Sequence, residues 1–240
     1  MRFTARALRA SRVPVVFALA LMLPAAGTSL LARSTSPAAP WSDPSLAEVF
    51  ALQAATLDPK VLQLALRAAS CAAAATDAAR PTLLTLIDYS RPSTERRLWV
   101  LDLASRRVLF EEPVAHGKNT GDNIARLFSN VPGSLQSSLG LYLTGQTYTG
   151  RNGYSLRLFG LEPGVNDRAL ERAIVVHGAD YLEQGMAQRL GRLGRSWGCP
   201  AVPRRVAQAL IDTIKGGSFL FAYYPDDRWL SNSRFLGTCR

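Results

Sequence analysis

Histidine is the scarcest reactive residue of this chain. Two imidazoles in 240 residues exclude a three-histidine metal centre before any motif is sought. Cysteine is almost as rare. Three thiols are too few for a disulfide-built miniature, and the odd count leaves at least one unpaired within the chain. Charged residues make up 19% against 48% hydrophobic, which excludes a disordered tail or a coiled coil. There is no internal repeat, and after Leu23 no stretch is apolar enough to span a bilayer.

What is present begins with a basic terminus. Arg2, Arg6, Arg9 and Arg12 precede an apolar run from Val13 to Leu23, followed by the small residues Ala25, Ala26 and Gly27. That order reads as a secretory signal peptide over 1–26. Eleven apolar residues are too short a helix for a hydrocarbon core of about 30 Å. Cleavage near Ala26 lowers the formal net charge from +10 to +6. Export argues against a nucleic-acid partner, and the residual basic surplus suits weak attraction to an anionic envelope polymer.

Residues 27–44, rich in Ser, Pro and Ala, read as a linker. A helical segment follows over 45–80, in two parts. Ser45 is placed to cap the first, which runs to about Ala55. Asp58 is placed to cap the second, with Pro59 at its first position. From 81 to 230 the pattern turns to short strands: Leu83–Asp88, Leu98–Leu103, Arg107–Ala115, Leu139–Thr144, Tyr154–Phe159, Ala173–Val176 and Phe219–Tyr224. One late helix carries Val206, Leu210 and Ile214 four apart, with Gly216 as its stop. The expectation is a mainly β domain, sandwich or barrel, with a short tail over 231–240.

The richest window for chemistry runs from Ile174 to Val202. An apolar strand delivers His177 and Gly178 at its end, and Arg195-Ser196-Trp197-Gly198-Cys199-Pro200 follows. A cysteine nucleophile needs a base, because a free thiol has a pKa of about 8.5. Gly198 leaves room for a carbonyl to approach, and a helix starting near Pro203 would add its positive end beside the sulfur. Taken alone, Cys199 is equally a disulfide half, and His177 an ordinary strand histidine.

The strings His177-Gly178 and Ser196-x-Gly198-Cys199 resemble the signature of the L,D-transpeptidase (YkuD-like) catalytic domain family. Ser196-Trp197-Gly198-Cys199-Pro200 is similar to that of its divergent murein branch. The stretches Pro132-Gly133-Ser134, Ser138-Leu139-Gly140 and Gly153-Tyr154-Ser155-Leu156 extend the likeness, which covers about 83–224 and leaves the helical segment without a counterpart. The resemblance implies a sandwich or barrel with one helix after the cysteine. It makes Cys199 the nucleophile and His177 its base, with the Gly178 carbonyl fixing the imidazole. Backbone N–H groups of Trp197, Gly198 and Cys199 would receive the oxyanion. Tyr154, Ser196 and Arg195 are candidate substrate contacts. Ala201 stands where relatives carry Arg or Asn for the substrate carboxylate, and Arg195, Arg204 or Arg205 are the substitutes.

The implied protein is an exported, periplasmic or envelope enzyme that cross-links peptidoglycan stem peptides through a Cys199 thioester, without cofactor or metal. Three rivals stay open: hydrolysis at the same site, a zinc peptidase built on His116, His177 and Asp180, and a wall-binding module without turnover. His116-Gly117 also follows an apolar strand but matches no catalytic position of the family. Cys71 and Cys239 flank the domain and are able to pair if they lie close enough.

Overall fold

The computed structural model describes Trp41, Asp43 and Cys239 together with residues 45–75, 82–182 and 184–237. The stretch 1–26, read as a signal peptide, and most of the expected linker lie outside the described residues. Trp41 and Asp43, at the linker's end, are docked. The Trp41 indole packs edge-on against Phe219, and Asp43 pairs with Arg106 at 2.5 Å.

Two helices lead in, α1 (Leu46–Gln53) and α2 (Pro59–Ala74). Asp58 caps α2 as its position requires, accepting the Lys60 N–H at 2.7 Å. Ser45 does not cap α1 with its side chain; its hydroxyl donates to Asp43 at 2.7 Å instead. Val61, Leu62, Ala65, Leu66, Ala69 and Ala72 form the buried stripe of α2. The spacing of three and four turns that stripe onto strands β1 (Leu83–Asp88) and β8 (Phe219–Tyr223).

Between those two strands in sequence come β2 (Leu98–Asp102), β3 (Arg107–Glu112), β4 (Gly140–Gly150), β5 (Gly153–Gly160), β6 (Val175–Ala179) and β7 (Ala201–Pro203). They form a single sheet in the order β3-β2-β1-β8-β4-β5-β6-β7. β1 and β8 are covered on both sides, so their sequences LLTLID and FLFAY run almost continuously apolar. β3, at one edge, alternates instead. The sheet curls until its ends meet. Ala115, just beyond β3, pairs with Ala201 of β7, its N–H donating to the Ala201 carbonyl at 2.8 Å. The barrel form of the expected sandwich or barrel is therefore the one adopted, as one nearly closed sheet.

Helix α4 (Arg204–Ile214) buries Ala207, Leu210, Ile211 and Ile214 against β6 and its neighbours. Gly216 takes the positive φ of 80° that terminates the run. Two short helices were not foreseen, α3 (Gln184–Leu190) and α5 (Asp227–Asn232). Strand limits also differ from expectation, and β4 runs on past Thr144 to Gly150. β3 stops before Pro113, which lacks the N–H a ladder needs. β6 starts at Val175 because Ala173 has φ 53°, a left-handed turn that breaks the extended chain. The three-residue β7 carries too little pattern to read. The C-terminal residues are tied down: Phe235 and Leu236 are buried, and Cys239 is disulfide-bonded to Cys71.

Candidate active site

The seam where the sheet closes holds the candidate residues. β6 runs antiparallel to β5 and parallel to β7, with Ser155 opposite His177 and His177 opposite Ala201. His177 and Gly178 thus lie within the strand and not beyond its end. Cys199 is two residues upstream of His177's partner on the neighbouring strand line. Both residues therefore lie at the seam between β6 and the segment that leads into β7.

His177 is buried, and its Nδ1 lies 3.1 Å from the Gly178 carbonyl oxygen. A carbonyl only accepts, so Nδ1 carries the proton and Nε2 is left with its lone pair. Burial holds the imidazole pKa down, the Gly178 carbonyl opposes this, and Arg204 adds to the lowering. Gly178 also admits helix α4. A Cβ there would stand 2.7 Å from the Ala207 Cβ and 3.3 Å from the Arg204 Cα. The positive end of α4 therefore abuts the histidine strand.

Cys199 is 7% exposed and free. Its thiol donates to the Ala173 carbonyl at 3.6 Å, and the left-handed turn at Ala173 is part of what presents that oxygen. Burial pushes the thiol pKa up, against smaller lowering from the Val175 N–H and the Arg172 guanidinium. Burial thus disfavours the charged form of both side chains, and no hydrogen bond joins them among the described residues.

The turn before the cysteine is held from inside. Buried Ser196 donates its hydroxyl to the Cys199 carbonyl at 2.6 Å and accepts the Gly198 N–H at 3.1 Å. The Gly198 carbonyl accepts from Ser137 at 3.0 Å. Gly198 has φ 123°, and a Cβ there would lie 2.7 Å from the Gln136 oxygen, so glycine is required. Of the three N–H groups expected to receive an oxyanion, that of Gly198 is already engaged. Those of Trp197 and Cys199 make no hydrogen bond among the described residues.

The other candidates have partners within the protein. Tyr154 gives its hydroxyl to Asp212 at 2.6 Å. Arg195 contacts Asp122 at 3.0 Å and the carbonyls of Lys118 and Gly121. Arg204 grips Asp180 with two nitrogens, and Arg205 grips Glu112 likewise. His116 is fully buried; it accepts from Arg97 at 2.8 Å through Nδ1 and reaches the Gly121 carbonyl at 3.2 Å through Nε2. Its pKa is pushed down to about 4 by burial and by Arg97. Asp180 is thus held by Arg204 and His116 by Arg97. No group of three or more His, Cys, Asp or Glu suited to a metal occurs among the described residues.

Residues 53–223, well over half of the chain, match the family model described as L,D-transpeptidase catalytic domain. The chain belongs to this family. The match begins at Gln53, so α2 lies inside the family span, which corrects the expectation that the helices stood outside it. Among solved structures the domain is similar to an L,D-transpeptidase from Mycobacterium smegmatis, at 13% identity and TM-score 0.37 over 60% of this chain and 59% of that one. It is similar to the helical cell shape determining protein Pgp2 from Campylobacter jejuni, at 16% and 0.40 over 60% and 48%. L,D-transpeptidase 3 from Mycobacterium tuberculosis gives 13% and 0.37 over 60% and 62%. The chain spans less than two thirds of each of these proteins. Comparison with curated proteins gives no significant match.

The sequence missed the part played by two features of this L,D-transpeptidase domain. One is the segment 114–118, noticed there only for His116-Gly117, which runs beside the turn that carries Cys199. The His116 carbonyl accepts the Ser196 N–H at 3.0 Å, and the Lys118 N–H donates to the Ser196 carbonyl at 2.8 Å. Buried Arg97 fixes that segment with two bonds to the Val114 carbonyl and the one to His116. The other is Arg172, whose guanidinium donates to the carbonyls of Ser129 and Gln136 and to the hydroxyls of Ser138 and Ser134 at 2.5–3.2 Å. It gathers a loop under Gly198 and leaves a cation close to Cys199.

The raised thiol pKa makes a direct prediction for the resting domain. Iodoacetamide should modify Cys199 slowly at neutral pH. Its rate should still be climbing above about pH 8.5, where an ordinary thiol is half ionised. A rate already at its plateau by pH 7 would show the thiolate to be the resting form.

Proposed function

We propose that the protein is an exported cysteine L,D-transpeptidase acting on peptidoglycan stem peptides. The observation that carries this reading is the imidazole fixed by its own neighbour's carbonyl, one strand away from a free cysteine, inside the family span. The Cys199 side chain would turn from the Ala173 carbonyl toward His177 Nε2 and give up its proton there. The thiolate would then attack the carbonyl of the L-centre diamino acid of a donor tetrapeptide. The N–H groups of Trp197 and Cys199 would take the oxyanion, and His177 would return the proton to the departing D-Ala amine. The amine of a second stem would resolve the thioester and form the cross-link.

The basic, then apolar, then small-residue terminus supports export, and a disulfide between Cys71 and Cys239 accords with an oxidising compartment. No helix among the described residues is long and apolar enough to cross a membrane. The deciding experiment is product analysis of the mature protein with a disaccharide-tetrapeptide. A cross-linked dimer is the expected product. Release of D-Ala alone would assign an L,D-carboxypeptidase, and an unchanged substrate would leave a wall-binding module.

A further inference from the structure

Trp197 is 64% exposed, although Ser196 and Gly198 on either side of it are buried. The other three tryptophans, Trp41, Trp99 and Trp229, are buried. An indole left in water two residues from the nucleophile forgoes stabilisation that burial would give, so it is available to a ligand. It is also not alone. Strands β4 and β5 are joined by Arg151-Asn152, and Gly153, at φ 75°, takes the left-handed position that closes this turn. The turn carries the Arg151 guanidinium to 5.5 Å from the centre of the Trp197 ring. Stacking of this kind orients a guanidinium without neutralising it.

Arg151 differs from the candidate arginines around the site. Arg195, Arg204 and Arg205 each face a carboxylate of the protein, at Asp122, Asp180 and Glu112. Arg172 spends four of its bonds on the loop beneath Gly198. Arg151 has no ion-pair partner among the described residues, and its stacking partner sits next to the candidate oxyanion donors.

We propose that Arg151 and Trp197 form the subsite for a free carboxylate of the acyl donor, the guanidinium binding the carboxylate and the indole packing on the adjoining aliphatic part of the peptide. The ligand class is an anionic peptide, and the subsite supplies the contact that Ala201, lacking a charge, does not. The proposal rests on Cys199 being the nucleophile, and its test is kept separate from that reading.

Binding can be read without turnover in the Cys199→Ala protein, because Trp197 is the exposed indole and dominates the solvent-sensitive emission. A tetrapeptide stem with free carboxylates should shift that emission to the blue. Adding Arg151→Gln should weaken its binding about tenfold, the scale of one charge-assisted hydrogen-bonded contact. Arg151→Lys should recover part of the loss. The same peptide with its carboxylates amidated should bind both proteins equally weakly. In the protein with Cys199 intact, Arg151→Gln should raise KM with little change in kcat. Equal binding of the free-carboxylate peptide with and without Arg151, an equal loss with the amidated peptide, or no binding by the Cys199→Ala parent would each overturn the subsite. Product formation with an unchanged KM in Arg151→Gln would do the same while leaving the Cys199 chemistry standing.

Discussion

His177→Ala should abolish acyl-enzyme formation almost entirely, with a rate deficit of a hundredfold or more, the usual scale for a positioned general base. The Nε2 lone pair left by the Gly178 contact is the acceptor for the thiol proton, and an alanine offers none. Because burial pushes the Cys199 thiol up, little thiolate forms unaided near neutrality. Loss of the base therefore cannot be offset by spontaneous ionisation. His116→Ala should behave differently. It leaves an Arg97 donor without its acceptor in a buried place, which costs about 1–3 kcal/mol of stability. Below its unfolding transition it should keep most activity. Mass spectrometry after exposure to a carbapenem would report the adduct on Cys199 in each variant. An adduct that survives His177→Ala but vanishes in folded His116→Ala would assign the base to the wrong histidine.

Removing the Cys71–Cys239 disulfide should produce the largest change in stability. The bridge closes a loop with a sequence separation of 168. Loop-closure arguments put such a cross-link at about 3–5 kcal/mol. The double variant Cys71→Ser/Cys239→Ser should unfold at a clearly lower denaturant concentration, and reduction of the parent should move it to nearly the same midpoint. Turnover under native conditions should persist, since the tail keeps Phe235, Leu236 and the Arg67 bond to the Gly237 carbonyl at 2.8 Å. Thiol titration of the unreduced, unfolded parent should find one reactive group. Identical midpoints in all three forms would show that the bridge contributes nothing.

Much of this was legible in the chain. Strands with strong apolar runs, such as 83–88 and 219–223, declared themselves because both of their faces are covered. The Asp58-Pro59 start of α2 is local chemistry, and so was readable. His177, Gly178 and Cys199 stood out only through their family strings; spacing alone left a disulfide half and an ordinary histidine equally open. What stayed hidden depends on contacts distant in sequence. The state of Cys199 is set by the Ala173 carbonyl, 26 residues away. The three candidate arginines were unreadable because their carboxylate partners come from remote segments. Trp197 was noticed for its backbone, while its side chain becomes informative only when the β4–β5 turn brings Arg151 to it.

The sheet order carries a consequence for biogenesis. β8 follows the other seven strands in sequence, yet it lies between β1 and β4. Until residues 219–223 leave the ribosome, the β1–β3 meander and the β4–β7 group have no strand to join them, and the apolar edges of β1 and β4 have no neighbour. Such long-range pairing folds slowly, and it cannot begin before β8 has been made. On the export route proposed above, that delay would leave the centre of the sheet unformed until residues 219–223 have been made, which suits passage of an unfolded chain.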